Sequence, residues 1–453
     1  MKKILLLSLL FAIFSNKSIA QNVICGTTTS NTEPYIQEKS LSCNNASSIY
    51  HSKYKLQSYN LYASNTSQAI KIIKVNLIIW QKNDGTGNFQ DNINDRTNLS
   101  TLIDYVNRQY NNNTTPSDGS DLTCGVTVRN PKLNFTLNQI KFIKNTALYT
   151  HPCSSGNSST YIDYINNYLP ELKNQLNIHV VNEMISNCHS GYADGIPGKT
   201  VVTFFRPLFY QAEHMWGFSI HLGHEIGHVL GLGHTYNVGN TESPYLGVVG
   251  NSAYNPDYLT DVFCVYPYPH CGKFNISECT EMPHTNNFMG GGQDAAFLSP
   301  LQIGRIHRTL HLNQQTRKLA CGFNSNDYLI SNNEEWDFDM KIYNNLRIKA
   351  GQTLTIKCKV YMVPEAKIII ENTGKLIIDG GIIDVANECG NKWEGIYLNN
   401  VRTPTNVLNG TIRHNPPNVE LLNGGLAKNI RTTNVPTDTH MPTPYPHQPR
   451  RGE

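Results

Sequence analysis

The stretch HEIGHVLGLGH, residues 224 to 234, decides how the rest of the chain is read. On a helix, His224 and His228 lie four residues apart and project from one face, so two imidazoles can converge on a single metal ion. Glu225 stands beside them, placed to take a proton from a water activated by the metal without itself being a ligand. Gly231 can adopt the left-handed conformation that ends a helix, which turns the chain back and brings His234 to the same ion. Three neutral nitrogens leave one coordination position open for water, the arrangement of a catalytic zinc. Structural zinc sites are closed by four protein ligands, usually with cysteine among them, and no cysteine lies in this stretch. The competing reading is a glycine-broken core helix with solvated histidines. The glycines argue against it: Gly217, Gly223, Gly227 and Gly231 each cost about 1 kcal/mol relative to alanine in a helix interior, so packing and metal must hold the segment.

The chain has 453 residues, enough for two or three structural units. Residues 1–20 carry Lys2, Lys3, an apolar run from Ile4 to Phe14 and a small-x-small site at Ser18-Ile19-Ala20. This reads as a secretory signal peptide, and the expected location is extracellular. No later apolar run approaches the ~20 residues of a spanning helix, so no transmembrane segment is expected and cell-surface association stays open. Loss of Lys2, Lys3 and Lys17 with the signal leaves 34 basic against 34 acidic residues. That balance lacks the basic field of a nucleic-acid binder, so no nucleic-acid partner is expected. Export makes disulfides the default for the eleven cysteines, and the odd count leaves one over. The spare thiol is a buried free cysteine, a link to another chain, or a latency ligand from the N-terminal segment. Pairings are not readable, although Cys264, Cys271 and Cys279 crowd one loop and Cys358 and Cys389 are the two in the last unit.

Residues 21–68, rich in Asn, Ser and Thr, read as an N-terminal extension or prosegment. The β-branched run Ile70–Gln81 predicts a strand, and Leu99, Leu102, Ile103, Val106 and Tyr110 predict an amphipathic helix over 98–111. Strand signals return near 125–148, a helix is expected over 159–173, and 176–181 reads as a buried strand with His179 in a structural role. Gly191–Gly198 reads as a loop. Thr200–Phe205 reads either as an edge strand on which an extended peptide can pair by its main chain or as an ordinary strand, and the sequence does not separate the two. After a stretch of little periodicity comes Asn286-Asn287-Phe288-Met289-Gly290-Gly291-Gly292. The next helix opens with Ser299 as N-cap, Pro300 in the first turn and Gln302 completing a capping box, with Leu301, Ile303, Ile306 and Leu310 on its apolar face.

The eleven residues from His224 match H-E-x-x-H-x-x-G-x-x-H at every defined position, and the chain here resembles the metzincin zinc endopeptidases. Met289, in a turn after the zinc helix, resembles their Met-turn, whose thioether forms an apolar floor below the metal. Within that clan the chain is similar to the pappalysin family through HEIGHVLGLGHT at 224–235, DYLTD at 257–261, NNFM at 286–289 and FLSPLQIGRI at 297–306. The likeness spans roughly residues 69–312. Gly291 stands where that family usually has a tyrosine, and Gln293-Asp294-Ala295-Ala296 where it usually has a cysteine. The resemblance implies an α+β catalytic domain over 69–321, a twisted sheet with an active-site helix and a C-terminal helix. It further implies zinc on His224, His228 and His234, Glu225 as general base, a protein or peptide substrate, and Asp257 and Asp261 as calcium candidates beside their reading as turn and capping residues.

Residues 322–345 are polar and read as a linker, so a chain ending near 323 is expected to fold and cleave by itself. Beyond it, short β runs recur between glycines: Gly351–Ile356, Gly374–Ile378, and the corners Asp379-Gly380-Gly381-Ile382, Asn409-Gly410-Thr411-Ile412 and Asn423-Gly424-Gly425-Leu426. A strand-turn unit of about 20 residues fits a parallel β-solenoid over 346–430, with an antiparallel sandwich as the other possibility. Residues 431–453, rich in Pro and Thr, read as a disordered tail. The functional expectation is a secreted zinc endopeptidase. Its rival is a non-catalytic binding or adhesion protein that uses the β-solenoid on a vestigial peptidase fold.

Overall fold

The computed structural model describes residues 68–114, 128–150, 158–182, 191–205, 215–233, 286–289, 296–402, 407–408, 411–412 and 418–431. The signal and prosegment readings over 1–67 lie outside these residues, as do Asp257, Asp261 and almost all of the proposed tail. No helix among the described residues is long and apolar enough to cross a membrane.

The first part of the chain mixes helix and sheet in the order β1 (Lys71–Gln81), α1 (Ile93–Asn111), β2 (Leu133–Lys144), α2 (Thr146–Tyr149), α3 (Ser159–Tyr168), β3 (Leu176–Asn182), β4 (Gly191–Ala193), β5 (Thr200–Phe205), α4 (Met215–Val229), α5 (Pro300–Leu312) and β6 (Ala320–Cys321). The sheet runs β2-β1-β3-β5-β4, with β6 paired to β1. The β1–β2, β1–β3 and β3–β5 pairs are parallel. Because β1 is covered on both faces, its alternation gives way to continuous burial from Val75 onward. Val75, Leu77 and Ile79 pack toward α1 and α4, while Ile78 and Trp80 pack with Tyr161 and Ile165 of α3. His179 lies in that second layer, where the Trp80 indole Nε1 donates to its Nδ1 at 3.2 Å. Burial pushes this imidazole down to about 3, so it stays neutral and structural.

Two local expectations shift. The helix expected over 159–173 stops at Tyr168, because Pro170 drives Leu169 out of the helical region (φ −137°, ψ 51°). Thr200–Phe205 is not the sheet edge: β5 lies between β3 and β4, and the antiparallel β4, from the segment read as a loop, is the edge among the described residues. Asp194 closes this hairpin, its Oδ1 accepting the backbone N–H of Lys199 at 2.7 Å and of Thr200 at 2.9 Å. A three-residue strand carries too little alternation to be read from sequence.

The polar segment 322–345 is no linker. It contains β7 (Asn324–Ile330), β8 (Glu334–Trp336), β9 (Met340–Ile342) and the start of β10 (Asn344–Ile348). Then come β11 (Thr353–Ile356), β12 (Lys359–Met362), β13 (Lys367–Ile370), β14 (Lys375–Asp379), β15 (Ile382–Val385) and β16 (Gly395–Leu398). Three parallel ladders take these strands in rotation: β7-β10-β13-β16, then β8-β11-β14 with Val419–Leu422, then β9-β12-β15 with Leu426–Ala427. Ile348 pairs with Ile330 and Ile370, Ile356 with Trp336 and Ile378, and Met362 with Ile342 and Val385, so buried apolar columns run through the ladders. Parallel pairing of this kind is incompatible with an antiparallel sandwich. The polarity of 322–345 misled because Asn344 and Asn345 are buried and bond the neighbouring strand: Asn345 Nδ2 donates to Ser325 O and Asn344 Nδ2 to Asn326 O, each at 3.0 Å. The repeated corners stack as well. A Cβ at Gly381 would stand 2.5 Å from Ile356 O, and one at Gly425 1.9 Å from Ile378 O, so only glycine lets successive corners approach.

The two parts share one apolar core running from Ala69 to Ile430. Cys321, at the end of the first sheet, is disulfide-bonded to Cys389, so Cys389 does not pair with Cys358. Beside it the buried Lys341 ammonium donates to Arg317 O at 3.0 Å, Ala320 O at 2.6 Å and Glu388 Oε1 at 2.6 Å.

Candidate functional site

The site is built on α4. Every residue from Phe218 to Gly233 is buried, so this part of the helix is enclosed on all sides and is held by its surroundings. Its glycines are the places where other segments come in. A Cβ at Gly223 would stand 2.9 Å from the Gln109 amide and 3.2 Å from the Phe288 ring, and one at Gly227 2.6 Å from Met289 Sδ. The propensity lost at these positions admits α1 and the 286–289 turn to the helix axis. Tyr110 seals the approach with a hydroxyl that donates to Gly223 O at 2.8 Å.

The C-terminus of α4 is a Schellman stop. Leu232 N donates to Gly227 O at 2.9 Å and Gly231 N to His228 O at 2.8 Å, with Gly231 at φ +95°. This stop also serves the site, because it places Leu232 O 2.7 Å from His228 Nδ1. His224 Nδ1 meets Phe288 O at the same distance. A carbonyl oxygen only accepts, so Nδ1 carries the proton in both rings and Nε2 presents its lone pair. That is the tautomer a metal requires, fixed by partners behind the ring. Burial pushes His224 down to about 4, opposed in part by the Phe288 carbonyl, so it is neutral at pH 7 and ready to ligate. The two rings lie 4.8 Å apart and nearly perpendicular. Glu225 is fully buried on the same stretch.

Met289 is fully buried against Gly227, and its turn is anchored to α5. Met289 N donates to Asn287 Oδ1 at 2.9 Å, and Asn287 exchanges two amide bonds with Gln302, at 2.8 and 3.1 Å. Gln302 in turn closes the capping box with Ser299 expected from the sequence. The cap that starts α5 is therefore also the clamp on the turn below His224 and His228.

The structure thus brings together His224, His228, Glu225 and Met289. His234 and Gly291 lie outside the described residues, and among the described residues no three His, Cys, Asp or Glu side chains gather to hold an ion. The donor set that is described, two imidazoles whose Nδ1 atoms are each engaged by a backbone carbonyl, fits zinc. Sequence reasoning missed His221, one helical turn before Glu225, with its Nε2 3.9 Å from Glu225 Oε1. The i, i+4 spacing was the available signal.

The packing makes one prediction. Gly227→Ala gains about 1 kcal/mol of helix propensity, yet drives a methyl into the Met289 thioether, and overpacking of this kind costs about 1–3 kcal/mol. The expected result is a lower melting temperature for Gly227→Ala. Gly227→Ala with Met289→Ala should lose less than the two single changes summed, by about 1 kcal/mol or more. Strict additivity would show that the two side chains do not meet.

No protein-family model matches the chain and no curated protein matches it. Among solved structures, the chain is similar to mature mirolysin of Tannerella forsythia in complex with a cleaved peptide, at 18% identity over 56% of this chain and 96% of that one, with a TM-score of 0.34. It is also similar to a chaperone–substrate complex (13% identity, 55% and 34% coverage, TM-score 0.26). A third is metalloproteinase-II from Bacteroides fragilis (16% identity, 41% and 53% coverage, TM-score 0.21).

Proposed function

We propose that the chain is a secreted zinc endopeptidase of the metzincin type, pappalysin-like, carrying a C-terminal β-solenoid. His224 and His228, joined by His234, hold the zinc, and Met289 lies beneath them. One observation carries the reading: both helical imidazoles are locked by backbone carbonyls into the tautomer that presents Nε2, with a fully buried carboxylate between them in sequence. A vestigial site serving a binding protein has no use for that orientation. Zinc, when bound, supplies a Lewis acid that lowers the pKa of water to about 7 and polarises the scissile carbonyl. Glu225 takes the proton from the attacking water and returns it to the leaving amine. An extended substrate pairs by its main chain along the edge strand β4. Secretion rests on the signal-like residues 1–20, and the solenoid on the rotation of strands among three parallel ladders.

The reading is tested by casein digestion with and without a chelator, beside metal content. Hydrolysis should stop on chelation and return with zinc, and the purified protein should hold about one equivalent of zinc. His228→Ala should lose most of that metal. Full zinc retention in His228→Ala, or digestion indifferent to chelator, would sink the assignment. Mapping the cleaved bonds of a peptide library by mass spectrometry then defines the specificity.

A further inference from the structure

We propose that His221 is a positioning residue for Glu225, held in place by the edge strand β4; this inference rests on the peptidase reading above. His221 precedes Glu225 by one helical turn, both side chains are fully buried, and Nε2 stands 3.9 Å from Oε1. The same end of the imidazole also meets backbone. A Cβ at Gly191 in β4 would fall 2.5 Å from His221 Nε2 and 3.3 Å from Cε1, so the strand lies directly on the ring and only glycine permits it. The Nε2 end of the imidazole is therefore packed against the edge strand and next to the carboxylate at once.

The physical need is plain. A carboxylate that must receive a proton and deliver it across the scissile bond has to be held in one orientation, and displacement of a catalytic group by about 1 Å can cost ~10²-fold in rate. Inside the protein a polar neighbour is the means of holding it, because the carboxylate cannot rely on water. A separation of 3.9 Å is longer than a hydrogen bond, and catalytic contacts of this kind commonly tighten only when substrate is bound. The geometry suits such tightening. A peptide that pairs along β4 loads the strand whose Gly191 backbone rests on His221, and the imidazole transmits that load to Glu225. His221 touches neither substrate nor metal in this account; it acts through Glu225.

The experiment compares wild type, His221→Leu, His221→Gln and Gly191→Ala for kcat, KM, zinc content and melting temperature, with crystal structures of the metal-free variants to read the Glu225 side-chain conformation. His221→Leu keeps bulk and removes the nitrogens. Its kcat is expected to fall about 10- to 100-fold, with zinc bound and KM changed by no more than about threefold. His221→Gln, which keeps an N–H donor, should recover a large part of the loss. Gly191→Ala, which pushes a methyl at Nε2, should lower kcat in the same direction. A Glu225 conformation unchanged in His221→Leu together with kcat within about twofold of wild type would overturn the proposal. So would equal losses of stability in the Leu and Gln variants with kcat per bound zinc unchanged, which would make His221 a packing residue. If wild-type protein hydrolyses nothing, the peptidase reading fails, and the Glu225 conformation in the metal-free crystals still decides whether His221 positions it.

Discussion

Glu225→Ala is expected to abolish peptide hydrolysis while zinc content and fold remain. The carboxylate is assigned as a base and not as a ligand, so its loss leaves the imidazoles of His224 and His228 with their carbonyl partners intact. A positioned general base contributes ~10²–10⁴ in rate, and one carboxylate here both accepts and returns the proton, so the upper end of that range is expected. Glu225→Gln should fail nearly as badly. It preserves size and hydrogen bonding, and also the proximity to His221, but an amide cannot accept the proton. The measurement is turnover of a fluorogenic peptide beside zinc content and melting temperature for wild type and both variants. Near-normal turnover with zinc bound would mean that another group activates the water. Loss of zinc together with activity would make Glu225 structural.

The second large effect concerns the β unit. A chain ending at residue 323 is expected to be insoluble or unfolded, contrary to what its polar boundary suggested. The last carbonyls of α5 have no partners within the helix, and the β unit supplies one of them: Tyr343 OH donates to Leu310 O at 2.9 Å. His311 Nδ1 donates to Lys341 O at 2.7 Å, and Arg317 pairs with Asp339 at 3.1 Å with both side chains almost fully buried. Tyr343 also lays its ring 3.8 Å from Nζ of the buried Lys71 of β1. Breaking one buried ion pair costs about 3–5 kcal/mol, against a total stability of about 5–15 kcal/mol for a domain. Truncation at 323 breaks Arg317–Asp339, removes the Cys321–Cys389 bond and opens the shared core at once. The comparison is soluble yield, a thermal melt and hydrolysis for chains ending at 323 and at 431. A cooperative melt and bound zinc in the shorter chain would show the β unit to be dispensable. Lys341→Met, which keeps the aliphatic stem and removes the donor to Arg317 O, Ala320 O and Glu388, should lower the melting temperature of the full chain.

By itself the sequence determined what depends on neighbours along the chain. The spacing of His224, Glu225 and His228 sets them on one stretch of helix, Gly231 sets where that helix stops, and Ser299 with Gln302 sets where α5 begins, because caps and helical faces are properties of a few consecutive residues. The recurring glycine corners likewise announced closely stacked β turns, since Gly381 lies against the backbone at Ile356 and Cys358 and Gly425 against the backbone at Ile378. Only the tertiary structure decided what depends on residues distant in sequence. It decided that β4 and not β5 forms the edge, that residues 324–345 start the parallel ladders, and that Cys321 joins Cys389. It also decided that Gly191 presses on His221 and that Phe288 O stands behind His224. Strand order and close backbone approach are selected by the burial of whole surfaces, and no window of consecutive residues contains both partners.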